Sequence, residues 1–474
     1  MKPVAIIGGG ITGLTAAFRL RQKNIPVALY EASDRVGGVI QSVRRDGYLA
    51  EFGPNTILET SPKVAALVTD LGLAERRIYS DPVAKNRYLV RDKRLLKMPE
   101  TPLGFVTTPL FSPAAKLRLL LEPFIGRGDP SREESVAEFV QRRLGREFLD
   151  RAIDALVGGI YAGDARELSL PQTFPKLHML EQRYGSLIKG QILGAGERKK
   201  RAEVAKPQAP KFSFDDGLQV LPDTLAAKLG RGIFLRTQVN KLTERAKDWV
   251  VTTSANESGR EHSAVVYAAP AFGLSKIEIE GRQPIDLSPL AEIRYPPVAS
   301  VVFGFRRADV AHPLDGFGML IPRVEGFRIL GSIFSSSLFP NRAPDGCVAL
   351  TSYLGGARSP ELAHKSREEL FQMALEDLRV LLGVTGLPTF QHQVVYAKAI
   401  PQYNLGYAAL KKLMSATESK APGLFLAGHY RDGISVSDCI VSGHEVAKRV
   451  ARYLGDVPMK SRAPATALQA EVAV

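Results

Sequence analysis

The chain has 474 residues, 45% of them hydrophobic, a formal net charge of +14 and two cysteines. That length allows about three domains' worth of structure, and Cys347 and Cys439 stand far apart, with neither a CxxC pair nor a Cys/His cluster to suggest a disulfide framework or a metal site. With a strand starting by Val4 and no apolar run of bilayer-spanning length, neither a secretory leader nor a membrane span is expected, and the positive charge asks for an acidic membrane surface or an acidic small molecule. Nucleic acid is not expected, because zinc-finger, RNP-like and basic heptad patterns are missing.

Val4 to Ile7 reads as a short buried strand. Gly8-Gly9-Gly10-Ile11-Thr12-Gly13 follows, then Leu14, Ala17, Phe18 and Leu20 at helical spacing. A second strand, Val27 to Tyr30, ends in Glu31. Strand, glycine turn, helix, strand and acid come in the order a dinucleotide requires. Gly8 permits the tight turn, Gly10 lets backbone approach the pyrophosphate and Gly13 lets helix and strand pack closely. The helix start at Ile11 and Thr12 offers its N–H groups to phosphate, and Glu31 accepts from a ribose diol. Ala32 to Val39 then carries the adjacent Gly37 and Gly38 instead of another βα unit, which favours FAD over a nicotinamide dinucleotide. Gly53-Pro54-Asn55-Thr56 reads either as a turn passing the flavin edge or as an ordinary surface turn.

Residues 83–212 read as largely helical, with Leu95 to Met98, Leu103 to Val106, Leu110 and Phe111 interleaved with prolines, and a basic helix from Ala114 to Leu121. The pattern suits a surface dipping into a membrane interface, and equally a helical cap packed on its own domain. Arg198-Lys199-Lys200-Arg201 and the Pro-rich segment Lys206 to Lys211 read as a solvated loop that could also touch anionic headgroups. Short alternating runs between Ile233 and Pro270 read as strands, with Val239 placed to meet adenine through its backbone. Gly423 to Gly428 is a buried strand ending in glycine. Beyond His429, Ile434, Ser435 and Val436 lead into a helix running past Val450, with Ser437 as its expected N-cap. Aimed at a flavin pyrimidine, that helix end would stabilise the charge of the reduced ring, although an ordinary βα unit looks similar. Residues 456–474 read as a disordered tail.

The expected fold is therefore α/β. It comprises a discontinuous Rossmann-like FAD-binding domain (residues 1–82, 213–270 and 415–455), a helical, membrane-associating insertion (83–212) and an α+β substrate-binding domain (271–414).

Together with these motifs, Gly158-Gly159-Ile160-Tyr161-Ala162-Gly163-Asp164 and the run Ser335 to Pro344 give a chain that resembles the protoporphyrinogen oxidases, within a wider amine-oxidase-like flavoprotein group. The resemblance implies noncovalent FAD held by Gly8, Gly9, Gly10, Ile11, Thr12, Gly13, Glu31, Ala32, Gly38, Val39, Gly53, Pro54, Asn55, Thr56, Val239, His429, Ile434, Ser435 and Val436. It implies hydride transfer from a porphyrinogen methylene bridge to flavin, which oxygen or another acceptor reoxidises. The pyrroles flanking the bridge stabilise the resulting cation, so no catalytic side chain and no metal is required. By the same resemblance Arg87 pairs with a propionate, Phe317 and Leu320 clamp the ring, and the Gly159 carbonyl meets pyrrole N–H groups. Read without it, Arg87 is equally a surface arginine, Phe317 and Leu320 core, and Gly159 a turn. His429 departs from the small residue expected there and reads as a packing change, and Cys439 lies outside the Gly-Gly-Cys-Tyr pattern of covalently flavinylated oxidases. The implied location is the cytoplasm, peripheral on the inner face of the cytoplasmic membrane, with a homodimer as one assembly. Coproporphyrinogen as substrate, an amine or polyene oxidase of the same group, and a basic binding protein on a degenerate nucleotide fold stay open as alternatives.

Overall fold

A computed structural model describes residues 1–193, 209–246 and 248–455. The basic run Arg198 to Arg201, the start of the Pro-rich segment and the tail expected to be disordered lie outside the described residues.

Five parallel strands form the first sheet, in the order β10 (Ile233–Phe234), β2 (Val27–Tyr30), β1 (Val4–Ile7), β14 (Val265–Tyr267) and β21 (Leu424–Leu426). Its central strands are apolar at every position because both faces are covered. Val4 and Ile6 point to one face, where they pack with Leu14, Leu225 and Val446 of the helices Ile11–Arg21, Val220–Leu229 and Val436–Tyr453. Ala5 and Ile7 point the other way, into a core shared with Leu242, Trp249 and Val251. Those residues belong to a four-stranded sheet, β13 (Asn256–His262), β12 (Asp248–Thr253), β11 (Val239–Arg245) and β15 (Glu278–Glu280). Strand order reverses at β1, and in such sheets the crevice at the strands' carboxyl ends is where nucleotides bind.

A seven-stranded sheet runs β20 (Phe390–Tyr396), β16 (Val298–Arg306), β19 (Cys347–Gly355), β18 (Ile329–Ile333), β17 (Gly316–Leu320), β7 (Asn86–Arg91) and β8 (Arg94–Lys97). Here the structure corrects the expected boundaries: β7 and β8 lie inside the stretch read as helical, yet they complete this sheet. Tyr88 and Val90 enter its core beside Met319, while Leu89 turns to the opposite face. A short run that is apolar on both faces carries neither period clearly, so periodicity alone misassigned it. Helices dominate from Pro102 to Leu193 around Phe139, Val140, Val157 and Leu168. The basic helix falls at Pro113–Leu120, with Ser112 accepting from Ala115 N as its cap.

Two small units join these bodies: the three-stranded sheet β5 (Ile57–Leu58), β9 (Lys211–Phe214) and β6 (Arg77–Tyr79), and the hairpin β3 (Ser42–Arg45) and β4 (Tyr48–Glu51). Glu51 is the polar knot of the junction. Its buried carboxylate accepts from Ser42 Oγ at 2.5 Å and Leu218 N at 2.8 Å, and it lies 3.7 Å from the equally buried guanidinium of Arg342. Burial outweighs the Arg342 attraction and raises its pKa from 4.5 to about 7. A carboxyl whose pKa rises on folding contributes stability that is complete below the unfolded value and is lost as pH climbs through the folded one. At 1.36 kcal/mol per pH unit the full swing is about 3 kcal/mol. Urea unfolding should therefore show the protein less stable at pH 8 than at pH 5 by a component of about 3 kcal/mol that Glu51→Gln removes; equal pH slopes for the two proteins would exclude Glu51 as the source.

Candidate functional site

At the carboxyl ends of the parallel strands the glycine turn is built by contacts that allow no side chain. Gly8 has φ +106°, and a Cβ there would lie 2.8 Å from Ala269 N. A Cβ on Gly13 would lie 2.0 Å from Gly8 O, so helix and strand approach as closely as backbone permits. Gly10 is different: with φ −71° it is the N-cap of the helix Ile11–Arg21, no side chain caps it, and an added Cβ would meet no atom within 4 Å. The turn is thus sterically closed at Gly8 and Gly13 and open at Gly10, with the first-turn N–H groups facing that opening.

Glu31 does more than the sequence suggests. One carboxylate oxygen accepts from Gly9 N at 2.6 Å and the other from Ser33 N and Ser33 Oγ, both at 2.8 Å. It locks the glycine turn to the second strand and retains lone pairs for a diol. Gly37 N donates to Gly9 O at 2.8 Å, and Gly37 bridges Gly10, so the second glycine pair lies directly on the first turn. Arg35, not among the expected ligands, holds that loop by donating to the carbonyls of Val36, Gly38 and Ile40 at 2.6–3.1 Å. Ala32, Gly38 and Val39 are exposed at the rim. Gly53 packs where a Cβ would be 2.1 Å from Val39 O, with Pro54 and Thr56 half-buried beside it, and Asn55 Nδ2 donates to the buried Tyr353 hydroxyl at 2.6 Å. Val239 opens β11 two residues after Thr237, whose N–H donates to Glu31 O at 2.9 Å.

The distant C-terminal segment reaches the same crevice. Thr12 Oγ1 donates to Cys439 O at 3.2 Å, and a Cβ on Gly443 would lie 2.5 Å from Thr12 O, so the helix Val436–Tyr453 crosses the first helix at near-backbone contact. Its N-cap is Ser435, not the expected Ser437: Ser435 Oγ accepts from Asp438 N while Asp438 accepts from Ser435 N, a capping box. Ser437 lies one turn-position inside and donates to Leu58 O, tying the helix to β5. Ile434 packs against both the nucleotide-fold core and the helical core. His429 is a packing group. Its ring stands edge-on to Tyr295 with centroids 5.7 Å apart, and burial lowers its pKa to about 4, so the imidazole is neutral near pH 7.

Three of the four expected substrate contacts, Arg87, Leu320 and Gly159, come together between the seven-stranded sheet and the helix Asp154–Tyr161, and Phe317 packs in a separate cluster. Leu320 pairs with Leu89 and Gly318 with Arg87, which puts Arg87 and Leu320 on one face. A Cβ on Gly159 would lie 2.2 Å from Leu320 Cδ2. Phe317 is the extra residue of a β-bulge between Gly316 and Gly318 and packs with Ile78, Ala84, Ile333 and Leu338. Beneath this wall Arg358, missed in the sequence, donates to Asp154 Oδ2 at 2.5 Å and fills the space of a Gly158 Cβ. Asp154 also accepts from Arg323 N at 2.7 Å, and Arg323 reaches Asp164 at 2.6 Å. These ion pairs fasten the helix that carries Gly158 and Gly159, which is not the turn read as the alternative, to the strand carrying Leu320.

The site defines the class. A sequence model described as flavin containing amine oxidoreductase matches residues 11–451, and the chain belongs to that family. It is an oxidoreductase with FAD as cofactor, and the residues present fit the group: an unfilled cradle at Gly10, an uncapped helix start and an acid at the second strand's end. More particularly, the chain is 38% identical over 481 residues to protoporphyrinogen oxidase 2, chloroplastic/mitochondrial, of Arabidopsis thaliana, covering 96% of this chain and 94% of that one. It is 31% identical to coproporphyrinogen III oxidase of Bacillus subtilis (strain 168), covering 96% and 98%. A crystal structure of a candidate protoporphyrinogen oxidase from Exiguobacterium sp. 255-15 superposes with TM-score 0.80 at 23% identity, over 96% of this chain and 99% of that one.

The contrast between Gly10 and Gly13 is testable. Gly10→Val should change the unfolding free energy of the flavin-free protein by about 1 kcal/mol or less yet cut the flavin-to-protein absorbance ratio about tenfold. Gly13→Val should cost about 3 kcal/mol of stability. Equal flavin loss with equal destabilisation in both variants would refute the assignment of Gly10 to cofactor space.

Proposed function

We propose that the protein oxidises protoporphyrinogen IX to protoporphyrin IX in haem biosynthesis, by successive hydride removals, with molecular oxygen or another acceptor closing the cycle. The single observation that supports this reading is the joining of Arg87, Leu320 and Gly159 on one wall between the seven-stranded sheet and the helix Asp154–Tyr161. FAD, when bound, supplies the hydride acceptor. Gly8 to Gly13, Ala32, Gly38, Val39, Gly53 to Thr56, Val239, His429, Ile434, Ser435 and Val436 would hold it through backbone groups and the two helix N-termini, and the Glu31 carboxylate through the ribose diol. Arg87 fixes a propionate, Leu320 and Phe317 exclude water from the ring faces, and the Gly159 carbonyl accepts from pyrrole N–H groups. No described side chain is required to take a proton in the hydride step, and the imidazole of His429 is buried and neutral. Coproporphyrinogen III is the second reading, supported by the similarity to the Bacillus subtilis oxidase along the whole chain.

The proposed division of labour assigns residues 1–82, 213–270 and 415–455 to cofactor binding, 271–414 with β7 and β8 to the substrate wall, and the remaining helices to attachment. Aerobic incubation with each porphyrinogen should produce porphyrin fluorescence above the autoxidation blank, and the ratio of the two rates identifies the preferred substrate. Arg87→Ala should raise KM about tenfold with flavin retained. No fluorescence above the blank with either compound would overturn the reading.

Among the described residues no helix is long and apolar enough to cross a membrane. We propose peripheral attachment to the anionic inner face of the cytoplasmic membrane through the exposed Leu103, Leu117, Leu120, Phe124, Ile192 and Leu193. The buried Glu122 gathers these segments: it pairs with Arg143 at 3.0 Å and accepts from Ser186 Oγ at 2.5 Å and Leu187 N at 2.9 Å. Phe124→Asp with Leu120→Asp should abolish co-sedimentation with anionic vesicles while leaving detergent-assayed turnover intact. Loss of a homodimer in sedimentation without vesicles would instead assign this face to self-association.

A further inference from the structure

Lys211 opens β9, where side chains alternate between two faces. Phe212 and Phe214 turn into the nucleotide-fold core with Ile57 and Leu218. Ser213 turns the other way and accepts from Arg342 Nη2 at 2.7 Å, so Lys211, on the Ser213 face, looks toward the seven-stranded sheet. The chain from β6 to β7 runs along the same seam. Ser80 N donates to Lys211 O at 2.8 Å, Asp81 N donates to Leu338 O at 2.9 Å, and Ala84 packs with Phe317 before Arg87 enters its strand. Lys211 and Arg87 therefore flank the bulge that carries Phe317.

Lys211 is half-buried, and among the described residues its ammonium makes no hydrogen bond or ion pair. Burial and the nearby Arg87 charge hold its pKa below the ordinary lysine value, and no acidic group acts on it. A cation partly withdrawn from water beside another cation, with no acid to pair it, is stabilised by an anionic ligand.

We propose that Lys211 is a second carboxylate-binding residue of the substrate site, acting beside Arg87, so that the two cations take two neighbouring carboxylates of one flat apolar ligand. This rests on the porphyrinogen reading and deepens it. A single ionic contact would leave a nearly four-fold ring free to turn in its plane, whereas two contacts fix which edge faces outward and therefore which bridge carbon is presented. Lys211 thereby determines orientation as well as affinity.

The test uses flavin-loaded wild type, Lys211→Met, which keeps the stem and removes the charge, and Lys211→Arg. Each is titrated with protoporphyrin IX and with its dimethyl ester, following the porphyrin absorbance, and each is assayed with protoporphyrinogen. Lys211→Met should raise the Kd of the diacid and the KM about tenfold, as expected for one charge-assisted hydrogen bond, with flavin content and ester affinity unchanged. Lys211→Arg should recover most of the loss. Wild-type inactivity on both porphyrinogens would overturn the substrate reading together with this inference. An active wild type whose diacid-to-ester affinity ratio persists in Lys211→Met would overturn the role of Lys211 alone.

Discussion

The approach of Gly13 to the carbonyl of Gly8 is the constraint on which the nucleotide half of the molecule depends. A Cβ at position 13 would stand 2.0 Å from that oxygen, so the first helix leaves β1 at backbone contact. The same shortness lets the helix Val436–Tyr453 cross at Gly443, 2.5 Å from Thr12 O by the same measure. Two helix N-termini, one from each end of the chain, are thereby gathered at the carboxyl edge of one sheet. Their free amides and dipoles supply positive potential without an ionisable group, in a position that packing holds fixed.

Polar groups in the crevice serve structure and ligand at once. Glu31 holds Gly9 and Ser33 with the same oxygens a ribose would use, and Asn55 spends a donor on Tyr353. Such shared use pre-organises the cradle, since the groups are oriented before the cofactor arrives and little ordering entropy is left to lose on binding. On the substrate side the same role falls to the Asp154–Arg358 pair, which sets the helix carrying Gly158 and Gly159 against Leu320.

The nucleotide half was legible in the sequence because its signals are local. Gly8 to Gly13, Glu31 and the strands Val4–Ile7 and Val27–Tyr30 lie within one βαβ unit, and apolar continuity marks parallel strands buried on both faces. The substrate half was legible only by resemblance. Arg87 and Leu320 are neighbours through a strand pairing that joins residues 86–89 to 316–320, and no local pattern announces such a partner. The same distance explains why β7 and β8 were read as part of a helical stretch. Ser437 and Ser435 both fit an N-cap, and only the Asp438 geometry separates them. Arg358 and Lys211 carry no motif at all; their meaning comes from what surrounds them in the fold.

That β7 pairs with β17 has a consequence for how the protein is made. As the chain leaves the ribosome, β7 and β8 emerge early as a hairpin with apolar residues on both faces, and the second edge of β7 has no partner until β17 follows. The parallel sheet waits longer still, since its last strand, β21, and the second helix N-terminus follow every other described strand in the chain. Folding of both halves is therefore dominated by contacts between remote segments, which form slowly and leave strand edges uncovered meanwhile. A nascent chain in this state is a natural client for chaperones, and a truncation that removes the helix Val436–Tyr453 would release a product with half a cofactor cradle and an uncovered sheet face.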